Sequence, residues 1–398
     1  MSRKKTMTGE RFIDVDFCQQ AKHGQVVAGD VFLSRKIKEE GRIITVLSDG
    51  LGSGVKASVL ANLTATMALR YTSSFVDVRQ SAKTIMDTLP VCEKRKISYS
   101  TFTIVDLDEN GKTRVIEHGN PPLMLLRGQT PVPIERASLT LETWKDRVIH
   151  YSEFDTQLGD RIVFFSDGVS QSGLGRVGLP FGWGPERVTD FLRRQIAGES
   201  EISSRDLSRK LVAEALINDG RAAKDDITCG AVYYRRPRRL LIITGPPFSK
   251  ERDGELAELV QSFDGHKVIC GGTTAGIVSR LLGRPVTMDL KNLDPEIPPP
   301  AVMEGVDLVT EGTITLAKVA EMLGRGNPGE LVRKNPATDL VALMLQSDIV
   351  EFVVGTRINE AHQDPNIPVE LDLRRNIVRK IASLLETRHL KEARIQFI

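Results

Sequence analysis

Apolar positions recur at two different spacings before Tyr234, and the changes of spacing mark the elements. Short runs rich in β-branched and aromatic residues predict strands over 26–33, 42–47, 100–106, 113–118, 123–126, 161–166 and 228–234. Longer stretches of helical period predict helices over 55–71, 78–88, 185–196 and 204–218, with Gly, Asn and Pro at the turns. In the first helix Val59, Leu60, Leu63, Met67 and Leu69 are spaced for a buried stripe. The mixture is an α+β pattern.

The segment from Tyr234 through Pro237 to Arg239 breaks this pattern, because proline cannot donate to a central ladder and the four arginines around it favour water. A boundary is expected there, with domains over 1–237 and 238–398. A solvated linker explains the charges more simply than an anionic partner. Beyond it, strands over 240–244, 267–270 and 306–309 each lead through a loop into helices over 255–263, 274–282 and 316–323. A helix over 336–345, a strand over 349–354, a helix over 373–387 and a strand over 394–397 complete the layer. Repetition of this unit implies parallel strands with crossover helices, a doubly wound α/β domain.

A chain of 398 residues exceeds what one hydrophobic core usually organises, which agrees with two domains. Its 54 basic and 52 acidic residues leave a net charge of +2, too weak a field to argue for nucleic acid or an anionic membrane. Cys18, Cys92, Cys229 and Cys270 are far apart with no Cys-x-x-Cys pair, so buried free thiols are expected, not a zinc knuckle or a disulfide framework. The basic start, Met1 to Lys5, leads into no apolar leader, and no run approaches the ~18 apolar residues that span a bilayer. A cytoplasmic protein is expected.

The chemistry concentrates in acidic residues at strand ends. The run Val46, Leu47, Ser48, Asp49, Gly50 ends an apolar strand in a carboxylate and a glycine, before Gly52 and Gly54 open a helix. Gly50 lets the backbone approach closely, so its carbonyl and the Asp49 carboxylate would make hard oxygen ligands for magnesium or manganese. Alone, Asp-Gly is more often a turn. The arrangement recurs at Phe165, Ser166, Asp167, Gly168, and further acids stand at Asp30 and at Asp225 with Asp226. Carboxylates crowded at strand ends repel one another unless cations bind them.

In order, Gly29-Asp30, the Ser48 to Gly54 motif with its helix, Gly119 to Pro122, Phe165 to Val169 and Asp225 to Thr228 resemble the bacterial SpoIIE branch of the protein phosphatase 2C family over residues 14–234. The resemblance implies a β-sandwich flanked by helices, carrying two manganese or magnesium ions and hydrolysing phosphoserine or phosphothreonine. By motif, Asp49 would bridge the metals, Gly50 and Asp30 would reach the second, and Asp167 and Asp225 would hold the first, with Asp226 beside them. The cations would activate a water for attack at phosphorus, so no covalent intermediate is required. Leu51 stands where eukaryotic relatives carry a histidine that serves as general acid. Their phosphate-gripping arginine has no assigned equivalent here, Arg35 or Lys36 being the nearest guesses. His118 to Pro122 reads as a structural turn. In this branch, helices after the first metal motif act as a regulatory switch.

In the second domain Gly271, Gly272, Thr273 and Thr274 join a strand to a helix without matching a known phosphate motif. Similar junctions at Gly245 and at Thr310 to Thr313 would frame a crevice for a small anionic ligand. This domain is open to three roles: sensing such a ligand, docking a substrate, or forming a homodimer. The whole reads as a cytoplasmic phosphatase acting on a phosphorylated regulatory protein, without nucleic acid or membrane partners. Two alternatives stand beside it, a binding module that has lost its metals and a catalytic second domain acting on a nucleotide or sugar phosphate.

Overall fold

The computed structural model describes residues 11–74, 80, 84–85, 100–140, 148–289, 294–325, 335–357, 367–389 and 391–398. The chain divides into two compact units, Met1–Arg236 and Pro237–Ile398. The helix expected over 78–88 lies mostly outside the described residues.

The first unit is two antiparallel sheets packed face to face. One has the order β1 (Phe12–Gln20), β11 (Ile227–Arg235), β10 (Asp160–Phe165), β6 (Met124–Arg127), β7 (Thr130–Val132). The other runs β2 (Val31–Ile37), β3 (Arg42–Gly50), β4 (Ser100–Asp108), β5 (Lys112–His118), β9 (Val148–Asp155), β8 (Ala137–Thr140). Alternation along the strands sends side chains to opposite faces. Leu47, Val105, Ile162 and Phe164 fill the space between the sheets. Ile44, Val46 and Ile104 point out beneath helix α1 (Val55–Ser73). Val163 and Phe165 point the other way, under the pair α3 (Gly184–Gly198) and α4 (Ser204–Asn218). Because both faces of the central strands are covered, β10 and β11 read as unbroken buried runs. The short α2 (Asp167–Ser170) follows β10 directly.

Two local expectations are corrected. The early strand begins at Val31, not at residue 26: Val26 is fully exposed, and Asp30 precedes the strand instead of sitting in it. The buried stripe of α1 is Ala57, Ala61, Thr64, Ala65 and Ala68, whereas Val59 is 62% and Leu63 46% exposed. Small side chains let the helix settle close to β3, so the residues that touch the sheet are those with least bulk. Strands β1, β7, β8 and β9 had no sequence signal read from them; in β1 the polar residues Asp14, Asp16, Gln19 and Gln20 interrupt the apolar pattern.

The second unit is a seven-stranded sheet in the order β14 (Thr287–Met288), β15 (Ala301–Met303), β16 (Val306–Thr310), β13 (His266–Cys270), β12 (Arg239–Thr244), β17 (Ile349–Val354), β18 (Glu392–Phe397). The last five in that order are parallel. Helices α5 (Asp253–Ser262) and α6 (Gly272–Leu282) cover one face. Helices α7 (Thr313–Gly324), α8 (Pro336–Gln346) and α9 (Ile367–His389) cover the other. Helices on both faces of a mostly parallel sheet make it a doubly wound α/β domain. Among the described residues, no helix is long and apolar enough to cross a membrane.

The alanine contact of α1 gives a direct test. Ala61→Leu should destabilise the protein by about 1–3 kcal/mol through overpacking, while Val59→Ser should stay within about 0.5 kcal/mol, both read from urea unfolding. The opposite ranking would restore the stripe expected from sequence.

Candidate metal centre

Four carboxylates distant in sequence gather where β3 and β10 end and β2 and β11 begin. Asp49 is the last residue but one of β3, and Asp30 immediately precedes β2, whose Val31 pairs with Ser48. The Asp49 carboxyl lies close to those of both Asp30 and Asp167. Asp167 opens α2, and Asp225 stands two residues before β11. Asp30 is 3% exposed and fixed from several sides. The Thr228 hydroxyl donates to its carboxylate at 2.7 Å, and Gln19 Nε2 donates both to its carbonyl at 2.9 Å and to Thr228 Oγ1 at 3.0 Å.

Glycines make the convergence sterically feasible, through close approach and not through φ. A Cβ on Gly50 would lie 2.3 Å from the Ala57 carbonyl oxygen of α1. One on Gly168 would lie 2.0 Å from the Asp226 carbonyl oxygen, and one on Gly29 would lie 2.9 Å from an Asp226 carboxylate oxygen. Each glycine adjoins an acid, and a Cβ on Gly50 would also lie 2.9 Å from the Gly29 carbonyl oxygen, so the absence of side chains lets the carboxylate-bearing segments approach.

Asp226 differs from the other acids in its bonding. It is 4% exposed, and its two oxygens accept from the amides of Lys22 and Gly29, both at 2.9 Å. These bonds tie the start of β11 to the loop that delivers Asp30. His118, in the expected structural turn, sets Nδ1 3.1 Å from the Val148 carbonyl oxygen and packs against Phe102. In the same turn Asn120 bonds Thr101 and Thr103. Arg35 and Lys36 lie five and six residues along β2 from Asp30, ~17 Å away in extended chain, and Lys36 sits over the Phe12 ring. Among the residues not singled out from sequence, Thr228 and Ser166 lay inside quoted motifs, whereas Gln19 carried no signal.

Electrostatics set this cluster apart. Burial first, then the charges of Asp30, Asp167 and Asp225, push the Asp49 carboxyl up to about 9. Burial raises Asp30 to about 6 against the opposing hydrogen bonds of Thr228 and Ser166. Asp167 is raised by burial and by Asp225, and Asp225 chiefly by burial. Of these carboxyls Asp49 is pushed up furthest, because it faces the other three acids in a buried setting. Among the described residues, Lys22 pairs with the cluster, its Nζ 4.0 Å from Asp225 Oδ1 with both groups well exposed, so screening leaves it a weak counterion.

An all-oxygen set short of positive charge suits hard divalent cations such as Mg²⁺ or Mn²⁺. Among the described residues, no three acid, imidazole or thiol groups form a ready-made cage. The fit is thus one of donor chemistry and charge, and the carboxylates would have to close in on an ion.

A helix-flanked sandwich of two antiparallel sheets, with acids at strand ends drawn together by glycines, defines a protein phosphatase 2C-like domain. Residues 39–235 match the family model "Stage II sporulation protein E (SpoIIE)", so the first unit is similar to that family. Stage II sporulation protein E of Bacillus subtilis (strain 168) is 22% identical over 213 residues, which cover 52% of this chain and 24% of that protein. The match thus spans about a quarter of the curated relative's length. Among solved structures, the phosphatase domain of Bacillus subtilis SpoIIE with a fragment of its regulatory domain is 20% identical, covering 57% of this chain and 65% of that one at a TM-score of 0.48. The RsbU and RsbW domains of a Mycobacterium tuberculosis protein are 17% identical, covering 63% of this chain and 67% of that one at a TM-score of 0.46.

The raised carboxyls predict a pH dependence. Between about pH 4 and about pH 9 the folded, metal-free state binds more protons than the unfolded chain, so its stability should fall as pH rises through that window. Mn²⁺ or Mg²⁺, which need the deprotonated acids, should raise Tm more at pH 8 than at pH 6. Asp49→Asn should raise the metal-free Tm at pH 8 and diminish the gain from metal. Thermal scans at the two pH values check this, and a metal-induced gain that does not grow with pH contradicts it.

Proposed function

We propose that the first unit hydrolyses phosphoserine or phosphothreonine on a bacterial regulatory protein, using two divalent cations, Mn²⁺ or Mg²⁺. The observation that carries this reading is the buried Asp49 among Asp30, Asp167 and Asp225, with Lys22 as a weak counterion. Asp49, whose carboxyl feels the charges of Asp30, Asp167 and Asp225 together, would serve both ions. Asp167 and Asp225 would hold the first ion, and Asp30 with the Gly50 carbonyl the second. Asp226, its oxygens engaged by the Lys22 and Gly29 amides, positions the Asp30 loop. Bound there, the cations supply Lewis acidity that activates a water nucleophile and offsets charge on the phosphoryl oxygens.

What the chain's own groups do follows from their placement. Thr228 and Gln19 hold Asp30 in one orientation, and Gln171 Nε2 donates to Asp167 Oδ2 at 2.9 Å. Cys229 is fully buried with its thiol raised by burial, so it is no candidate nucleophile. Leu51 offers no proton, which leaves protonation of the leaving oxygen to solvent.

Full-length protein with Mn²⁺ or Mg²⁺ should hydrolyse p-nitrophenyl phosphate and phosphoserine peptides, and a chelator should abolish the activity. Asp167→Asn and Asp225→Asn should each lower kcat by at least about a hundredfold while the protein stays folded by circular dichroism. Folded wild-type protein that is inert with both metals would overturn the reading and favour a binding module.

A further inference from the structure

Among the described residues of the second unit, three buried hydroxyls have no hydrogen-bond partner, and all three lie at one edge of its sheet. Thr244 ends β12, Thr274 is the third residue of α6, and Thr315 is the third residue of α7. They are 1%, 1% and 0% exposed. A buried hydroxyl without a partner is destabilising, and three along one rim call for a group that would bond there.

The rim is continuous. Registers align Thr244 with Cys270 and Cys270 with Thr310, so the loops leaving β12, β13 and β16 are neighbours. Helix α6 begins after Gly271, which has φ 124° and gives no side-chain cap, and the Gly271 amide donates to the Thr310 carbonyl at 2.8 Å. The Thr274 hydroxyl faces this turn, 3.6 Å from where a Cβ on Gly271 would sit. Gly312, which opens α7, comes equally near: its Cβ would lie 3.6 Å from the Gly271 α-carbon. Helix α7 is closed by an acid, Ile314 N donating to Glu311 Oε2 at 3.0 Å, whereas α6 has no such cap.

In this strand order the fold's usual ligand crevice lies where the order reverses, beside β12 and β17. Here that place is filled by backbone. A Cβ on Gly355 would sit 2.1 Å from the Pro246 carbonyl oxygen, and the Arg374 guanidinium lies over Gly245. One strand over, at β13 and β16, Gly272 and Thr273 are exposed and the helix start carries no side-chain cap.

We propose that this rim binds a small phosphate ester that also carries hydroxyl groups. Its phosphate sits on the N-terminal turn of α6, where amides point outward, the dipole favours an anion and Gly271 and Gly272 present no side chain. The Thr274 hydroxyl donates to a phosphate oxygen. Glu311, bonded to Ile314 through one oxygen, accepts from a hydroxyl of the ligand through the other. The same carboxylate repels a bare anion, so the ester is preferred over inorganic phosphate.

Full-length protein in a chelator, which silences the first unit, is titrated calorimetrically with adenosine 5′-monophosphate, ribose 5-phosphate and inorganic phosphate. One or both esters should bind, at least about tenfold more tightly than inorganic phosphate. Thr274→Val, which keeps the shape and removes the orphan hydroxyl, should weaken ester binding by about tenfold without lowering Tm. Gly272→Glu, at a position where a Cβ meets nothing within 4 Å, should abolish it. Glu311→Gln should narrow the preference over inorganic phosphate. Absence of heat with both esters, or binding that is indifferent to Thr274→Val and Gly272→Glu, overturns the proposal. Binding of the base-bearing ester alone identifies a nucleotide site, and equal binding of the two identifies a sugar-phosphate site.

Discussion

The first unit is organised around backbone contacts too close for any side chain. Gly50 lies against Ala57, Gly168 against Asp226, and Gly29 against the Asp226 carboxylate. These approaches bring acids from distant segments together, and burial with their mutual repulsion holds the Asp49 carboxyl far above its ordinary range. The surrounding structure supports that crowding. The sandwich core fixes the strand ends, the alanine face of α1 brings Ala57 down onto β3, and Gln19 with Thr228 anchors the most buried acid.

Much of this was legible in sequence because the central strands are buried on both faces. An unbroken apolar run such as Ile162 to Phe165 announces itself, and the Asp-Gly that follows is then placed at a strand end. Less was legible where one face meets water or where packing inverts a usual preference. Strand β1 mixes Cys18, Gln19 and Gln20 with apolar residues and gave no periodic signal, so the role of Gln19 was invisible. Helix α1 showed its larger apolar residues to the sequence reader but turns its alanines inward. Nothing in the spacing of Val59 and Leu63 says that close approach, and not bulk, decides the face.

The split of labour among neighbouring acids likewise needed coordinates. Asp225 and Asp226 are adjacent and chemically identical, yet one is half-exposed and raised in pKa while the other spends both oxygens on the amides of a distant loop. In the second unit the strand-to-helix grammar was plain, because parallel strands under helices are apolar throughout. The filling of the reversal point by Gly245 and Gly355 could not be read from it.

The glycines at positions 50 and 168 also bear on how such a domain would decay. A carboxylate can be lost to one nucleotide change with little effect on folding, since its removal relieves repulsion. The neighbouring glycine cannot be exchanged without prising two segments apart. In descendants that had abandoned the reaction, aspartates would drift first while the glycines stayed behind, leaving a fossil outline of the centre.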